Sequence, residues 1–134
     1  MELLLEGESK SIEGMKQCHK TMIKIFKGDI VLVNYWGPVQ MCVFYLEYHY
    51  VPYQYKIILE CERGFLTLTV KNLEENSFSP WMIFPEARYY HYVDVDKDIF
   101  QLIQLTDKAI KEKKIVFHSS NEVAELARMI EWKK

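Results

Sequence analysis

The sequence is poor in the residues and motifs that build the simplest catalytic and metal sites. Its five glycines are all isolated, so no glycine-rich loop is available to hold the phosphates of a nucleotide. Its three cysteines lack paired spacing, which excludes a disulfide framework and a Cys-x-x-Cys zinc motif. No Gly-x-Ser-x-Gly motif marks a nucleophilic serine. We therefore expect a non-enzymatic protein that needs neither a metal nor a cofactor.

Long apolar runs are also missing. The apolar run at residues 3–5 is too short for a signal peptide, and there is no stretch of the roughly 18 apolar residues that span a bilayer. Cys18, Cys42 and Cys61 fit the thiols of a reducing compartment. These observations predict a cytoplasmic protein with no membrane partner.

Neither sign of charge is in strong excess, because 19 acidic residues stand against 17 lysines and arginines. The central part is nevertheless acidic, since residues 29–85 contain six acids and three bases. A surface of this sign does not follow a phosphate backbone. A nucleic acid is therefore an unfavourable partner, and a basic protein is a favourable one.

Aromatic residues are what this sequence has in abundance. Eight of its 19 aromatic side chains lie between Tyr35 and Tyr55, and residues 44–55 are the densest part. A β-sheet that is covered on one face buries about half of such a run. Some of these tyrosines are therefore expected on the surface, where a binding partner can reach them.

Two consecutive hairpins are predicted within residues 41–70. A two-residue turn at Arg63-Gly64 makes one face of the second hairpin wholly apolar. Its predicted pairs are Ile57 with Val70, Leu59 with Leu68, and Cys61 with Leu66. The preceding strand is expected to fold back around Val51-Pro52, either through a wide loop or through a type VI turn with cis Pro52. The predicted pairs of that hairpin are Tyr48 with Tyr55, Leu46 with Ile57, Phe44 with Leu59, and Glu47 with Lys56.

Other segments complete the predicted sheet. Residues 29–35 are expected to form a strand that ends at Trp36-Gly37-Pro38 and completes a four-stranded meander. Before it, a short helix near residues 9–19 followed by a strand is favoured, although apolar residues at helical spacing continue to Phe26. Residues 81–84 and 88–93 predict short edge strands.

The C-terminal part is predicted to contribute helices. Asp96 is expected to cap a helix over residues 97–112, and residues 115–118 predict a short strand. Ser119 and Glu122 have the spacing of a capping box ahead of a final helix. The predicted fold is a single α+β domain over residues 1–134, with an antiparallel meander sheet of about four to six strands and C-terminal helices packed on one face.

Other patterns have simpler explanations than catalysis or metal binding. Residues 94–98 begin like a calcium loop, but Ile99 stands where the loop needs glycine. Glu60 and Glu62 share a strand face, as an acid and a base would, although exposed glutamates usually serve solubility.

The outward-facing row of the two hairpins is the predicted binding surface. Tyrosine and isoleucine exposed beside acids form the kind of patch that protein partners use. The candidate partner-binding residues are Tyr45, Glu47, His49, Tyr50, Tyr53, Lys56, Ile58 and Glu60. The preferred hypothesis is an inhibitor or immunity-type protein that occludes a basic effector, such as a nuclease toxin.

Two alternatives belong to other functional classes. Tyr45, His49 and Glu60 line a small-ligand or hydrolytic pocket if residues 72–93 lie over the sheet. Alternatively, the tyrosine-rich face meets a second copy of itself in a homodimer. The sequence leaves Trp36 and Trp81 open as either core or rim residues.

Overall fold

The structure, a computed structural model, describes residues 1–92 and 95–132, without the side chains of residues 95–96 and 130–132. Within these residues, three α-helices and five strands follow one another. They are α1 (Lys10–Phe26), β1 (Ile30–Val39), β2 (Val43–Tyr50), β3 (Tyr55–Glu62), β4 (Phe65–Lys71), β5 (Ser77–Phe78), α2 (Phe100–Lys111) and α3 (Ser120–Trp132). The strands form one antiparallel sheet in the order β1-β2-β3-β4-β5. The predicted α+β class and meander are confirmed, and the single domain over residues 1–134 stays a prediction.

The hairpin of β3 and β4 has the predicted register. Ile57 lies opposite Val70, Leu59 opposite Leu68, and Cys61 opposite Leu66. Arg63 and Gly64 form its two-residue turn with φ of 53° and 86°. Positive φ at both central residues is the signature of the type I′ turn, whose twist matches that of the flanking strands.

The hairpin of β2 and β3 is shifted by two residues from the predicted register. Tyr48 lies opposite Ile57 and Leu46 opposite Leu59, so the predicted pairs of this hairpin are wrong. The loop is the wider of the two predicted forms, with four residues between Tyr50 and Tyr55. Among the described residues the cis peptide is Gly37-Pro38, so Pro52 is trans. Because the side-chain period of a strand is two, this shift leaves every side chain on its predicted face.

Strand β1 continues past the position where it was predicted to end. It extends to Val39 as an edge strand, with register shifts near Val33 and between Trp36 and Val39. Proline removes one donor from a sheet, but at an edge that donor has no strand to pair with. Pro38 is therefore tolerated inside the strand, and Trp36 becomes a sheet residue opposite Tyr45.

The prediction of a strand after residue 19 is wrong, because α1 continues without interruption to Phe26. The helical spacing extends over the whole segment, and its apolar side is fully buried through Met15, Cys18, Met22 and Phe26. Ser9 caps the helix by accepting a hydrogen bond from the Ile12 backbone N–H at 3.2 Å. Once the first turn of a helix has formed, each added residue gains one backbone hydrogen bond, so extending the helix costs little free energy.

Residues 81–84 and 88–92 do not form the predicted edge strands. Short 3₁₀ helices at Pro80–Met82 and Pro85–Tyr89 occupy this segment, and each begins with proline at a position where the missing N–H costs nothing. Only an isolated bridge between Phe65 and His91 resembles strand pairing there. Val93, the last residue of the predicted strand, lies outside the described residues.

The C-terminal predictions are confirmed in part. A π-helical turn, Val95–Ile99, leads into α2, and the cap predicted at Asp96 concerns a side chain outside those described. Residues 115–118 contribute one bridge, Ser77 with His118, instead of a strand. The capping box is present: Ser119 Oγ accepts from the Glu122 N–H at 3.3 Å, and Glu122 Oε1 accepts from the Ser119 N–H at 2.9 Å.

The core lies between the inner face of the sheet and the helices α1 and α2. Its sheet side consists of Phe44, Leu46, Tyr48, Tyr50, Ile57, Leu59, Cys61, Leu66, Leu68 and Val70. Its helix side includes Met15, Cys18, Met22, Phe26, Leu102, Ile103, Ala109 and Ile110. Each fully buried leucine contributes about 1.5–3 kcal/mol to folding. No described residue of α3 belongs to this core, so α3 lies at its periphery.

Candidate functional site

The outer face is the side of the sheet that points away from α1 and α2. Three rows of side chains cross its four long strands, one residue from each strand. The rows are Trp36, Tyr45, Glu60, Thr67; then Asn34, Glu47, Ile58, Thr69; and then Val31, His49, Lys56, Lys71. Strand alternation builds this face, because the same strands send their apolar residues to the core.

An aromatic pair, Trp36 and Tyr45, forms the apolar end of the first row, on β1 and β2. The rings stack with their centroids 6.3 Å apart and their planes 9° from parallel. Trp36 keeps 47% of its surface exposed although it is the largest side chain on the face. The Tyr45 hydroxyl donates to Glu47 Oε1 at 2.6 Å, which fixes the orientation of both side chains. The pair is therefore a rigid and accessible aromatic surface.

The Tyr45 hydroxyl is held in its protonated form. Burial raises its pKa well above the ordinary value, and the hydrogen bond to Glu47 and the negative charges of Glu47 and Glu60 raise it further. A protonated phenol is a donor, and Glu47 is already its acceptor. The hydroxyl hydrogen is therefore engaged within the outer face, and the ring is the accessible part of Tyr45.

Three carboxylates, Glu47, Glu60 and Glu62, surround the aromatic pair and form the acidic group of the outer face. Glu60 lies directly opposite Tyr45, and Glu62 follows two residues later on the same face of β3. Partial burial of its carboxyl raises the pKa of Glu60, repulsion from Glu62 adds to the rise, and Lys71 opposes it. Among the described residues no ion pair engages Glu60 or Glu62.

The opposite corner of the face carries its basic residues. Lys56 and Lys71 lie side by side on β3 and β4, and Glu75 of the following turn approaches them at 3.9 Å and 3.8 Å. Glu75 thus offsets part of the positive charge of this corner. Because Glu75 and the three carboxylates of the acidic group outnumber the two lysines, the charge of the outer face is negative.

An open depression of about 310 Å³ lies next to that corner. Polar and apolar side chains contribute to its lining, among them Val33, Glu47, His49, Lys56, Leu73 and Glu75. Tyr45 and Glu60 do not line it, so the structure does not bring together the three residues of the predicted pocket. Residues 77–92 lie elsewhere, because Phe78, Ala87 and Tyr90 join the core.

Five of the eight predicted site residues share the outer face as accessible side chains. They are Tyr45, Glu47, His49, Lys56 and Glu60. Ile58 also points to this face, but only 7% of it is exposed because taller neighbours surround it. Ile58 is therefore part of the floor of the surface and not a contact residue.

The other two predicted residues lie away from the outer face. Tyr50 points to the inner face, 3% exposed, with its ring edge-on to Phe26, so its expected place on the surface is wrong. The reason is strand parity, since Tyr50 belongs to β2 and not to the loop. Tyr53 is 48% exposed in the loop, where its ring packs beside Tyr50 and Tyr55 at the end of the sheet.

The sequence reasoning missed the most exposed aromatic residue of this face, Trp36. The sequence does contain a signal for it. Trp36 directly follows the β-branched residues of β1, and Pro38 after it does not end the strand because edge strands tolerate proline. It also missed Val31, Val33 and Phe65, which are 46%, 41% and 45% exposed along the same face. These residues extend the apolar part of the surface on both sides of the acidic group.

Within the described ranges, no group of three or more histidine, cysteine, aspartate or glutamate side chains is arranged to hold a metal ion. Cys18, Cys42 and Cys61 are buried free thiols, and burial raises the pKa of Cys18 and Cys61. A protonated thiol in an apolar core is a poor nucleophile. No helix of the described chain combines the length and apolarity that a membrane crossing requires.

Comparisons with protein-family models, with curated proteins and with solved structures found no significant match for this chain. The function of this protein is therefore inferred from the geometry and chemistry of the outer face.

Proposed function

We propose that this protein is a non-enzymatic protein-binding domain that binds a basic partner through the outer face of its sheet. The observation that carries the proposal is the half-exposed Trp36, stacked on Tyr45 and bordered by the acidic group. Tryptophan and tyrosine are enriched among the residues that dominate binding energy at protein interfaces. Exposed aromatic side chains that adjoin one another at the edge of a sheet face form the kind of patch that marks a protein interaction site.

Charge supports a basic partner. Among the residues that the structure describes, no lysine or arginine forms an ion pair with Glu60 or Glu62, whereas Glu75 lies near Lys56 and Lys71 at the other corner. Acids at the border of an aromatic contact raise the association rate of a positively charged protein and disfavour acidic ones.

The preferred form of this function is an inhibitor or immunity-type protein that covers a basic effector, such as a nuclease toxin, in the cytoplasm. A nuclease must attract a phosphate backbone, so its active-site cleft is basic. An acidic face with rigid aromatic residues is complementary to such a cleft. The buried free thiols support a reducing compartment.

Self-association through the same face is less favourable. A two-fold axis that buries the aromatic pair passes close to Glu60 and Glu62 and brings these residues of one copy near the same residues of the other. Like charges that meet without a counter-charge destabilise an interface. A basic partner meets no such repulsion.

Affinity capture from the source lysate tests the proposal. The baits are the native protein, an outer-face variant with Trp36→Ala, Tyr45→Ala and Glu60→Lys, and a control variant with Glu125→Lys and Met129→Ala. Glu125 and Met129 are exposed on α3, which follows the bridge at β5 on the opposite edge of the sheet from Trp36. We expect the native and control baits to capture a basic protein that the outer-face variant does not capture. Recovery of the same proteins by all three baits contradicts the proposal.

The inhibitor form needs a functional assay of the captured protein. If the captured protein degrades nucleic acid, an equimolar amount of the native protein should abolish that activity, whereas the outer-face variant should leave it intact. High salt should weaken the complex, because it screens the charges of the acidic group. Full nuclease activity in the presence of bound native protein contradicts inhibition.

A further inference from the structure

We propose that the aromatic pair and Glu60 form a receptor for one arginine side chain of the partner protein. This inference rests on the proposed function, because it names the group of the partner that the outer face receives. It adds a specific chemistry, recognition of a guanidinium group, to the general preference for positive charge.

The negative charge of Glu60 has no ion-pair partner among the described residues. Glu60 and Glu62 share one face of β3 at positions two residues apart, where each carboxylate repels the other. Lys71 lies in the third row and offsets only part of this repulsion. A cation from outside the chain, placed beside Glu60, relieves the repulsion and pairs a partly buried carboxylate.

The aromatic pair lies next to the charge of Glu60. Glu60 lies directly opposite Tyr45 on the neighbouring strand, and neighbouring strands are about 4.8 Å apart. Tyr45 in turn stacks on Trp36. A cation that contacts the rings therefore has a carboxylate within one strand spacing. Cation–π attraction is strongest for tryptophan and is worth more where water is partly excluded.

The chemistry of this site favours an arginine side chain over a lysine side chain. A guanidinium group is planar, is more weakly hydrated than an ammonium group and stacks on aromatic faces while its N–H groups bond a carboxylate in its own plane. A lysine ammonium is a compact, strongly hydrated charge and gains less from a flat aromatic pair. The stacked rings beside Glu60 thus offer two contacts that arginine makes together better than lysine.

Residue Glu47 has a positioning role in this receptor. Its carboxylate accepts the Tyr45 hydroxyl at 2.6 Å and so holds the ring against Trp36. Because Glu47 Oε1 is engaged by Tyr45 and Glu60 lies directly opposite Tyr45, Glu60 is the acid best placed for the guanidinium group. The receptor therefore has one aromatic wall, one carboxylate and one supporting residue.

A titration followed by NMR tests the receptor without knowledge of the partner. The probes are arginine, lysine and norleucine, each with both ends blocked so that only the side chain differs. The protein contains three tryptophans, so a Trp36→Phe variant assigns the indole N–H signal of Trp36. We expect that signal to shift on addition of the arginine probe, with an affinity at least about threefold higher than for the lysine probe. The norleucine probe should cause no shift.

Two variants locate the site. Glu60→Gln removes the carboxylate charge and should reduce the affinity for the arginine probe about fivefold or more. Glu125→Gln makes the same charge change on the exposed side of α3 and should leave the affinity unchanged. Both variants are compared at equal ionic strength, since salt weakens every contact between exposed charges.

The outcomes separate this inference from the proposed function. Equal affinities for the arginine and lysine probes, an unshifted Trp36 signal, or equal effects of Glu60→Gln and Glu125→Gln each overturn the arginine receptor. If the titration fails while capture still depends on the outer face, the proposed function stands and the receptor is wrong. If the arginine probe binds as expected but the three baits capture the same proteins, the receptor stands and the proposed function is wrong.

Discussion

The Glu60 carboxylate lies where it costs stability, and under the proposed function it favours binding. Burial and repulsion from Glu62 raise its pKa, which means that folding disfavours the charged form. The same charge is what a cationic partner needs. Residues that are unfavourable for folding but persist on an exposed face are typical of binding sites, where stability and activity conflict.

Replacement of Glu60 by glutamine should raise the free energy of unfolding at neutral pH. An acid whose pKa is raised in the folded state destabilises the fold at any pH where it is ionised. The loss of stability is therefore complete above the folded-state pKa. It disappears below the unfolded-state value of about 4.5, where both states are protonated. The stabilisation by Glu60→Gln should therefore be present at pH 7 and absent below pH 4.5 in urea denaturation. An equal gain at both pH values, or the same gain from Glu125→Gln, contradicts this assignment.

A second residue-scale prediction concerns the type I′ turn between β3 and β4. Gly64 has a φ of 86°, and a Cβ atom there would collide with His91 Nε2. Gly64→Ala should therefore destabilise the protein by about 1–3 kcal/mol through backbone strain, with a further cost for displacing His91.

The matched control for this turn is Gly28→Ala. Gly28 has no neighbouring atom within 4 Å of an added Cβ, so its replacement should change stability by less than about 0.5 kcal/mol. Chemical denaturation of both variants provides the comparison. Similar stability of the two variants shows that His91 and the turn adjust without strain.

At the scale of elements, sequence patterns predicted faces better than pairings. The alternation in β2 and β3 placed Tyr45 and Glu47 outside and Leu46 inside, and a register error of two residues left this unchanged. The turn at Arg63-Gly64 was predictable because few residues other than glycine adopt the required φ. The loop at residues 51–54 has no such requirement, so its length did not follow from the sequence.

The site itself was predictable only where a regular strand carried it. Trp36 was missed because Pro38 indicated a strand end, whereas an unpaired edge accepts proline. Tyr50 was assigned to a loop, and tertiary packing against Phe26 places it in the core instead. Both errors arise at strand ends, where neighbours in space and not in sequence decide whether pairing continues.

The capping box of α3 gives a prediction at the element scale. Ser119→Ala removes the acceptor of the Glu122 N–H and should destabilise α3 by about 0.5–2 kcal/mol. Ser120→Ala is the control, because Ser120 is the first residue of the helix and its hydroxyl makes no hydrogen bond within the described residues. Amide hydrogen exchange in α3 measures the effect directly. Equal exchange in the two variants contradicts the role of the cap.

At the scale of the whole molecule, the outer face and the periphery differ in how firmly they are held. The outer face is built on β2 and β3, whose other sides form the centre of the core. A surface on such strands is already ordered before binding, so little conformational entropy is lost when a partner docks. Helix α3 contributes no buried side chain among its described residues and is held near the rest by contacts such as Arg88 Nη1 to the Ala127 carbonyl at 3.4 Å.

Native-state hydrogen exchange should show this difference as a gradient of protection. Amides of β3 are expected to exchange last, with protection close to the global free energy of unfolding, because β3 is paired on both sides and buries Ile57, Leu59 and Cys61. Amides of α2 should follow, since Leu102 and Ile103 are buried, and amides of α3 should exchange far sooner by local opening. If α3 is protected as strongly as β3, the helix belongs to the cooperative core. In that case the control substitutions at Glu125 and Met129 alter the same folding unit as the outer face, and their use as distant controls has to be abandoned.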